Sequence, residues 1–325
     1  MTQKIIPNSA TNIIKKSFNY KAIDLFAGVG GIRIGFEKVF KDKLEVVFSS
    51  EIDKNAQKTY YENFKELPHG DITKIDEKNI PAHDIILAGF PCQAFSVAGL
   101  RKGFNDTRGT LFFDVARIIN YHKPKIVFLE NVKGFKNHDN GNTFKIVKET
   151  LEDMSYKVFE KVLNTKDFNT PQNRERIYII AFLDNVKFNF PIPIKYNYEI
   201  KNYLDKNIDE KYYYNDKPLY KKIKDEIDDY NSIYQWRRKY VRKNQSGVCP
   251  TLTANMGTGG HNVPIVRDNI GVRKLTPSEC SKFQGFPSTF KFAPNLADCH
   301  KYKQMGNSVS INVIEELAKS ILEVI

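Results

Sequence analysis

Short apolar runs alternate with stretches of helical spacing from residue 21 to about residue 184. Residues 22–26 and 83–88 have the length and composition of buried strands, and residues 31–40 have the apolar spacing of a helix. This alternation predicts an α/β fold in which a doubly wound, parallel sheet is covered by helices on both faces. Ligands of such folds bind at the carboxyl ends of the strands, where the unusual residues of this chain cluster. The other predicted strands are residues 44–48, 125–129 and 176–182, and the other predicted helices are residues 53–64, 111–121, 144–154 and 310–325.

The composition of the chain changes after residue 190, where Tyr, Lys, Asn and Asp become frequent and periodicity weakens. We therefore predict a flexible N-terminal tail at residues 1–20, a first domain at 21–190 and a second, smaller domain at 191–285. Residues 286–325 are predicted to form a hinge and a C-terminal helix. The apolar residues of that helix have helical spacing, so one of its faces should pack back on the first domain.

The charge of the chain suggests a polyanionic partner. Its 325 residues include 50 Lys and Arg against 38 Asp and Glu, a formal net charge of +12. A basic soluble enzyme without such a partner is the plainer alternative. No run approaches the roughly 18 apolar residues of a membrane span, and no signal peptide is evident. The absence of a Cys-x-x-Cys pair argues against a metal site, and the scattered thiols are typical of a reducing, cytoplasmic environment. The cysteines are Cys92, Cys249, Cys280 and Cys299.

A glycine-rich loop at residues 24–31 (Asp-Leu-Phe-Ala-Gly-Val-Gly-Gly) follows the first predicted strand and precedes a helix. Glu51, at the end of the second strand, is suited to accept both hydroxyls of a ribose, and Asp71 to accept an adenine amino group. A dinucleotide dehydrogenase is the obvious rival. Its third glycine would fall at Arg33, however, and a pyrophosphate needs that glycine and a bare helix N-terminus. A cofactor that contains a nucleoside but no phosphate tolerates this departure. A turn that serves only packing remains the other reading.

Two neighbouring predicted strands end in residues whose side chains can take part in a reaction. Residues 89–96 (Gly-Phe-Pro-Cys-Gln-Ala-Phe-Ser) place Cys92 just past one strand, and Glu130 follows the next. Adjacent parallel strands would bring both to the same edge of the sheet. Arg174 and Arg176 precede a later strand and could favour the thiolate form of the cysteine. The alternatives are a buried structural thiol, a solvated strand end and surface salt bridges.

The chain closely resembles the bacterial cytosine-C5 DNA methyltransferase family, in particular its short, single-subunit members that act in restriction–modification systems. The resemblance rests on an ordered set of motifs that runs from about residue 21 to the C-terminus, except for residues 190–245. The stronger matches are residues 24–31, 89–96, 130–132, 172–178 and 304–309, and the weaker ones are 50–53, 70–73 and 273–287.

The resemblance implies a covalent mechanism. Cys92 would be the nucleophile that adds to C6 of the cytosine, because C5 is otherwise a poor nucleophile towards a sulfonium methyl group. Glu130 would protonate N3 and hold the exocyclic amine, which requires a carboxyl group that keeps its proton near neutral pH. Arg176 would grip O2 of the base, with Arg174 beside it. The target base must leave the helix, since C6 is out of reach of a thiol in stacked DNA.

The resemblance also implies S-adenosylmethionine as the cofactor, with S-adenosylhomocysteine as product and no metal. Phe26 would pack on the adenine and Glu51 would bind the ribose. The fold expected is the Rossmann-like methyltransferase sheet, with residues 21–190 as the catalytic and cofactor-binding domain. The residues expected to bind the cofactor are Phe26, Gly28, Val29, Gly30, Gly31, Glu51, Ile52, Asp71, Ile72, Gly89, Pro91, Leu111, Asn307 and Ser308.

Residues 191–285 are expected to recognise double-stranded DNA. The basic stretch 236–243 suits phosphate contacts, although a solvated charge run would look the same. Residues 250–261 resemble the core of the family's recognition region, in which glycines would let a loop enter the major groove and polar side chains would read base edges. The residues expected to contact DNA are Gln93, Ser96, Arg101, Arg237, Arg238, Arg242, Thr251, Leu252, Thr253, Asn255, Gly257 and His261.

Two other functions fit parts of this pattern. A tRNA cytosine-C5 methyltransferase would use the same chemistry, and a non-catalytic relative would bind DNA without turnover. The basic stretch and the glycine-rich loop favour duplex DNA, and the presence of Cys92, Glu130 and Arg176 favours catalysis. We expect a cytoplasmic monomer that acts independently of any cognate restriction endonuclease.

Overall fold

A six-stranded sheet forms the centre of the first half of the chain in the computed structural model, which describes residues 19–91, 111–244, 247–257 and 263–325. The strand order is β2-β1-β3-β4-β7-β5, and β6 pairs outside this sheet. In chain order the strands are β1 (Tyr20–Leu25), β2 (Leu44–Ser50), β3 (Ile85–Ala88), β4 (Ile126–Val132), β5 (Lys157–Asn164), β6 (Gln172–Asn173) and β7 (Glu175–Phe182).

The predicted α/β fold is confirmed, but the sheet is mixed where a parallel one was expected. β2, β1, β3 and β4 run parallel, but β7 is antiparallel to both β4 and β5. The ten residues between β5 and β7 are too few for a parallel crossover, which needs a dozen or more residues. β5 was not predicted because it is an edge strand whose polar residues leave it mostly half-buried, so its apolar pattern is weak.

Helices cover both faces of the sheet, as predicted. On one face α3 (Leu111–His122) and α4 (Asn142–Asp153) pack against the strands, and on the other α1 (Gly31–Phe40) and α8 (Ile311–Leu322) do so. The helix α8 packs closely on α1, because Gly35 of α1 has no side chain and the Ile314 side chain occupies the space where a Cβ would lie. The other helices are α2 (Lys54–Phe64), α5 (Tyr220–Ile223), α6 (Pro277–Lys282) and α7 (Asp298–Asn307).

A second, four-stranded antiparallel sheet lies within residues 191–285, the range predicted as a separate domain. Its order is β12-β11-β8-β9, and the short strand β10 instead pairs with β6 of the first half. The domain boundaries themselves remain predictions. The described part of the chain has no helix long and apolar enough to cross a membrane. The strands are β8 (Tyr234–Trp236), β9 (Val241–Lys243), β10 (Cys249–Pro250), β11 (Pro264–Arg267) and β12 (Val272–Lys274).

Candidate active site

A cavity of about 450 Å³ opens where β1, β2, β3 and β4 end. The residues that follow these four strands form one wall, and the connection between α7 and α8 forms the opposite one. The described residues that line it include most of the predicted cofactor set and three of the predicted catalytic residues: Phe26, Gly28, Val29, Gly31, Glu51, Ile52, Gly89, Pro91, Leu111, Glu130, Arg174, Arg176, Asn307 and Ser308.

The glycine-rich loop owes its shape to residues with positive φ. Phe26 has φ of 54°, unusual for a residue with a bulky side chain, and Gly30 has φ of 84° at the start of α1. A Cβ at Gly30 would collide with the Phe64 ring on α2, and one at Gly31 would lie 2.8 Å from the Ser308 hydroxyl. The loop is therefore pressed between α2 and the α7–α8 connection, which explains why glycines follow β1 here.

Glu51 is held rigidly at the edge of the cavity. One carboxylate oxygen accepts the backbone N–H of Gly28 at 2.7 Å, and the other accepts that of Asp53 at 2.7 Å. Burial raises the pKa of Glu51, against the lowering effect of these hydrogen bonds. Each oxygen retains a free lone pair in this arrangement, so the carboxylate can still accept two hydroxyl groups from a ligand.

Three of the predicted cofactor residues, Gly30, Asp71 and Ile72, are not among the residues that line this cavity. Asp71 accepts hydrogen bonds from the backbone N–H and the hydroxyl of Thr73. Its side chain thereby caps the N-terminus of the 3₁₀ helix Ile72–Lys74. Ile72 is buried, and its carbonyl accepts a hydrogen bond from Arg117. A contact between Asp71 and an adenine stays a prediction.

Glu130 lies inside β4, two residues before its end, and is 9% exposed. Its carboxylate lies 3.2 Å from Nε of Arg176 on the neighbouring strand β7. Burial raises the pKa of Glu130, and the positive charges of Arg176 and Arg174 oppose that rise without cancelling it. The carboxyl group is therefore biased towards keeping a proton, the property expected of a general acid at this position.

The chain that leads to Cys92 runs directly past Glu130. A Cβ at Gly89 would lie 3.6 Å from a Glu130 carboxylate oxygen. The carbonyl of Phe90 accepts a 2.9 Å hydrogen bond from the side-chain amide of Asn131, a contact that the sequence did not suggest. Cys92, Gln93, Ser96, Arg101 and His261 lie outside the described residues.

Arg174 is not a surface residue. It is 2% exposed, and its guanidinium donates hydrogen bonds to the carbonyls of Leu252 (2.9 Å), Gly306 (3.2 Å) and Ser308. A surface salt bridge is therefore wrong for this residue. Its partners lie far away in the sequence, so no local signal could have identified them.

The described residues that are expected to contact DNA fall into three groups. Arg237, Arg238 and Arg242 are exposed on the hairpin of β8 and β9. Leu252 is buried, and Gly257 packs on α7, since a Cβ there would lie 3.0 Å from Cys299 Cα. Packing against α7 thus accounts for this glycine, and its contact with DNA stays a prediction. The remaining three are at least partly accessible: Thr251, Thr253 and Asn255.

Known proteins are similar to this chain in sequence and in fold. Among curated relatives, the Type II methyltransferase M.Bsp6I of Bacillus sp. (strain RFL6) is 53% identical over 307 residues, 91% of this chain and 96% of the relative. The Type II methyltransferase M.HhaI of Haemophilus parahaemolyticus is 43% identical over 328 residues, 94% of this chain and 95% of the relative.

Solved structures show the same fold at low identity. The Entamoeba histolytica methyltransferase EhMeth aligns with a TM-score of 0.73 at 23% identity, over 94% of this chain and 99% of that one. The S. pombe Dnmt2 methyltransferase aligns with a TM-score of 0.74 at 20% identity, over 93% and 98%. The sequence model described as C-5 cytosine-specific DNA methylase matches residues 20–323. The match spans nearly the whole chain and includes Glu51, Glu130 and Arg176 of the cavity, so this protein belongs to the C-5 cytosine-specific DNA methylase family.

Proposed function

We propose that this protein methylates C5 of one cytosine in a short, specific site of double-stranded DNA, with S-adenosylmethionine as the methyl donor. The observation that carries the proposal is the Glu130–Arg176 pair, which lies beside the chain leading to Cys92 and at one end of a cavity that could hold a nucleoside. Membership of the C-5 cytosine-specific DNA methylase family supports the same assignment.

The cavity suits a nucleoside without phosphates. Its lining contains the carboxylates of Glu51 and Asp53, which would repel a pyrophosphate, and Lys303 is already paired with Asp53 at 2.6 Å. The Ile52 side chain is 68% exposed beside Glu51 and offers an apolar surface for an adenine ring. Bound S-adenosylmethionine would supply an electrophilic methyl group at this site.

The catalytic residues would act on the cytosine itself. The Cys92 thiolate forms a bond to C6 while Glu130 donates a proton to N3, so the ring becomes an enamine with an electron-rich C5. Arg176 holds the base through O2 and, by its charge, stabilises the Glu130 carboxylate once the proton has left. After C5 has gained the methyl group, its proton is lost to a base and the C6–S bond breaks to release the thiolate. The N3 proton then returns to the Glu130 carboxylate.

The DNA would be bound across the cavity by the second half of the chain. Arg237, Arg238 and Arg242 extend into solvent from one hairpin and suit contacts with phosphates. The target cytosine would rotate out of the duplex into the space above Glu130. Several curated relatives are named Type II methyltransferases, which supports a role in protecting host DNA from a separate endonuclease. We propose a monomer that acts in the cytoplasm.

The test is transfer of a labelled methyl group. The purified protein is incubated with tritiated S-adenosylmethionine and plasmid DNA, and the modified cytosine is located by bisulfite sequencing. We expect label at C5 within one sequence context, and no label with the Cys92→Ala variant. Cys299→Ala removes a thiol elsewhere in the chain and serves as the matched control.

Three outcomes would contradict the proposal. They are no transfer by the folded wild-type protein, undiminished transfer by Cys92→Ala, and preferential labelling of tRNA when DNA and tRNA compete. The first would point to a relative that binds DNA without turnover, and the third to an RNA substrate.

A further inference from the structure

Three buried polar side chains connect the segment expected to recognise DNA with the wall of the methyl-donor cavity. Gln172 and Gln284 are fully buried and Arg174 is 2% exposed. None of them is fixed only within its own segment, because each bonds to residues at least 21 positions away in the chain. We refer to Gln172, Arg174 and Gln284 as the polar bridge.

One end of the polar bridge holds the proposed recognition segment, residues 249–257. The side-chain carbonyl of Gln172 accepts the backbone N–H of Leu252 at 3.1 Å, and Arg174 donates to the carbonyl of the same residue at 2.9 Å. Both backbone groups of Leu252 are therefore satisfied by the bridge. The parallel pairing of β10 with β6 fixes the start of the segment next to Gln172.

The other end of the polar bridge holds the cavity wall at residues 305–308. Arg174 donates to the carbonyls of Gly306 and Ser308, and Gln284 donates to that of Met305 at 2.8 Å. Gln172 and Gln284 are joined by a 3.0 Å hydrogen bond, and Arg174 is linked to Gln172 through the backbone of Leu252, to which both side chains bond. Gly306 also lies directly against the backbone of Thr253 and Ala254, with no space for a Cβ between them.

The two ends serve different ligands in the function proposed above. Gly306, Asn307 and Ser308 line the cavity, whereas none of the described residues 249–257 does so. A ligand in the cavity that orders residues 305–308 must therefore act on the recognition segment through the protein. Buried polar networks are costly to leave partly unsatisfied, so a shift at one end favours a matching shift at the other.

We infer that the polar bridge couples the two sites, so that the methyl donor and DNA bind cooperatively through Arg174, Gln172 and Gln284. These three are positioning residues in this role. The inference rests on the proposed function, since it takes the cavity as the donor site and residues 249–257 as part of the DNA interface. Coupling must be reciprocal: each ligand changes the affinity for the other by the same factor.

The first experiment uses the wild-type protein and S-adenosylhomocysteine alone, with amide hydrogen exchange as the readout. We expect slower exchange at residues 26–31 and 51–53, from direct contact, and also at residues 249–257, through the bridge. Protection at the cavity without any change at 249–257 overturns the inference and leaves the proposed function standing. No protection at any of these residues refutes the donor site, and the coupling with it.

The second experiment measures the coupling factor and its dependence on the bridge. Dissociation constants for S-adenosylhomocysteine are measured with and without a duplex that contains the sequence found by bisulfite sequencing. We expect a wild-type ratio of about 5 or more, a ratio within about twofold of 1 in Arg174→Lys, and an intermediate ratio in Gln284→Met. The ratio cancels any direct loss of affinity for either ligand, which a merely structural role would produce.

Arg267→Lys is the matched control. Arg267 also donates to a backbone carbonyl, that of Ile227 at 2.9 Å, but it lies in β11 and outside the cavity. Its variant should keep the wild-type ratio. A wild-type ratio of 1, or an unchanged ratio in Arg174→Lys, would overturn the inference. If Arg174→Lys does not fold, Gln284→Met and the exchange experiment on the wild type still decide the question.

Discussion

Glu130 is placed where two electrostatic effects oppose each other. Burial inside β4 favours its protonated form, and the guanidinium groups of Arg176 and Arg174 favour its carboxylate. Because burial is the larger effect, the pKa is raised, but the nearby charges keep ionisation within reach. This balance suits a group that has to give up a proton during the reaction and regain it afterwards.

Removal of the Arg176 charge should shift the pH profile of activity. In Arg176→Gln the pKa of Glu130 should rise further, because the main charge that stabilises its carboxylate is gone. The alkaline limb of kcat/KM, where Glu130 loses its proton, should therefore move to higher pH, while the maximal rate falls through the lost contact with the base. Lys133→Gln removes a surface pairing with Glu175 and should leave the limb in place. If the alkaline limb of kcat/KM is unchanged or moves to lower pH in Arg176→Gln, Glu130 is not the group that loses its proton there.

Asp24 offers a separate test of buried charge. It lies in β1, 1% exposed, and burial raises its pKa to about 7 in spite of the nearby Arg33. Between about pH 4, where the unfolded chain loses this proton, and about pH 7, where the folded protein does, the wild type should lose about 1.4 kcal/mol of stability per pH unit from this group. Asp24→Asn should lack that contribution. Urea unfolding of both proteins from pH 4 to 7 gives the free energy of unfolding at each pH. If this free energy has the same pH dependence in the wild type and in Asp24→Asn, the prediction is contradicted.

Single residues of the site could be predicted where a motif sits at the end of a strand. Glu51 and Glu130 line one cavity because parallel strands end at the same edge, and the pattern of the strands was readable from the sequence. Arg174 could be predicted to lie near the site but not to hold Leu252, Gly306 and Ser308. Those contacts depend on how the second half of the chain folds back, which no local pattern encodes.

At the scale of elements, α1 and α8 approach each other closely. Gly35 faces Ile314, and the two helices can meet only because α1 has no side chain at that position. The apolar spacing of both helices was clear in the sequence, and the bounds of α1 are as predicted. The antiparallel position of β7 between β4 and β5 could not be predicted from the sequence, because it follows from a short connection and not from composition.

Gly35→Ala should destabilise the protein by roughly 1–3 kcal/mol. Alanine favours the helix by up to about 1 kcal/mol, but the added methyl group forces α1 and α8 apart in a packed core, and that cost is larger. Gly134→Ala is the control, since a Cβ there meets no atom within 4 Å. Urea unfolding curves should show a lower midpoint for Gly35→Ala only. A midpoint for Gly35→Ala that equals or exceeds the wild-type value would show that the interface between α1 and α8 accommodates a methyl group.

At the scale of the whole molecule, the net charge of +12 has a local counterpart in the hairpin of β8 and β9. Arg237 and Arg242 are exposed there, on the antiparallel sheet of the second half of the chain. The sequence indicated the basic stretch but could not distinguish an interface from a solvated run. Its position on an exposed hairpin favours the interface, because the Arg237 and Arg242 side chains are accessible to a DNA backbone.

The double variant Arg237→Gln/Arg242→Gln should weaken DNA binding equally for all sequences. If each residue contacts one phosphate, the slope of log K against log salt should fall by about 1.8, from about 0.9 per contact. Methylation at saturating DNA should be unchanged. Fluorescence anisotropy with duplexes at several salt concentrations measures the slope. Lys38→Gln/Lys319→Gln, on α1 and α8, removes the same charge elsewhere. If the slope of log K against log salt falls by the same amount in this control, the net charge of the protein accounts for the change and the hairpin is not the DNA contact.

The packing of α8 on α1 also sets the order in which the protein can mature during synthesis. In chain order β1 and α1 come well before α8, so they leave the ribosome long before it does. Until α8 emerges, the apolar face of α1 and the adjacent face of the sheet lack the helix that covers them. A nascent or truncated chain that ends before α8 therefore has no closed core on this face of the sheet. Methylation should begin only after α8 has been translated.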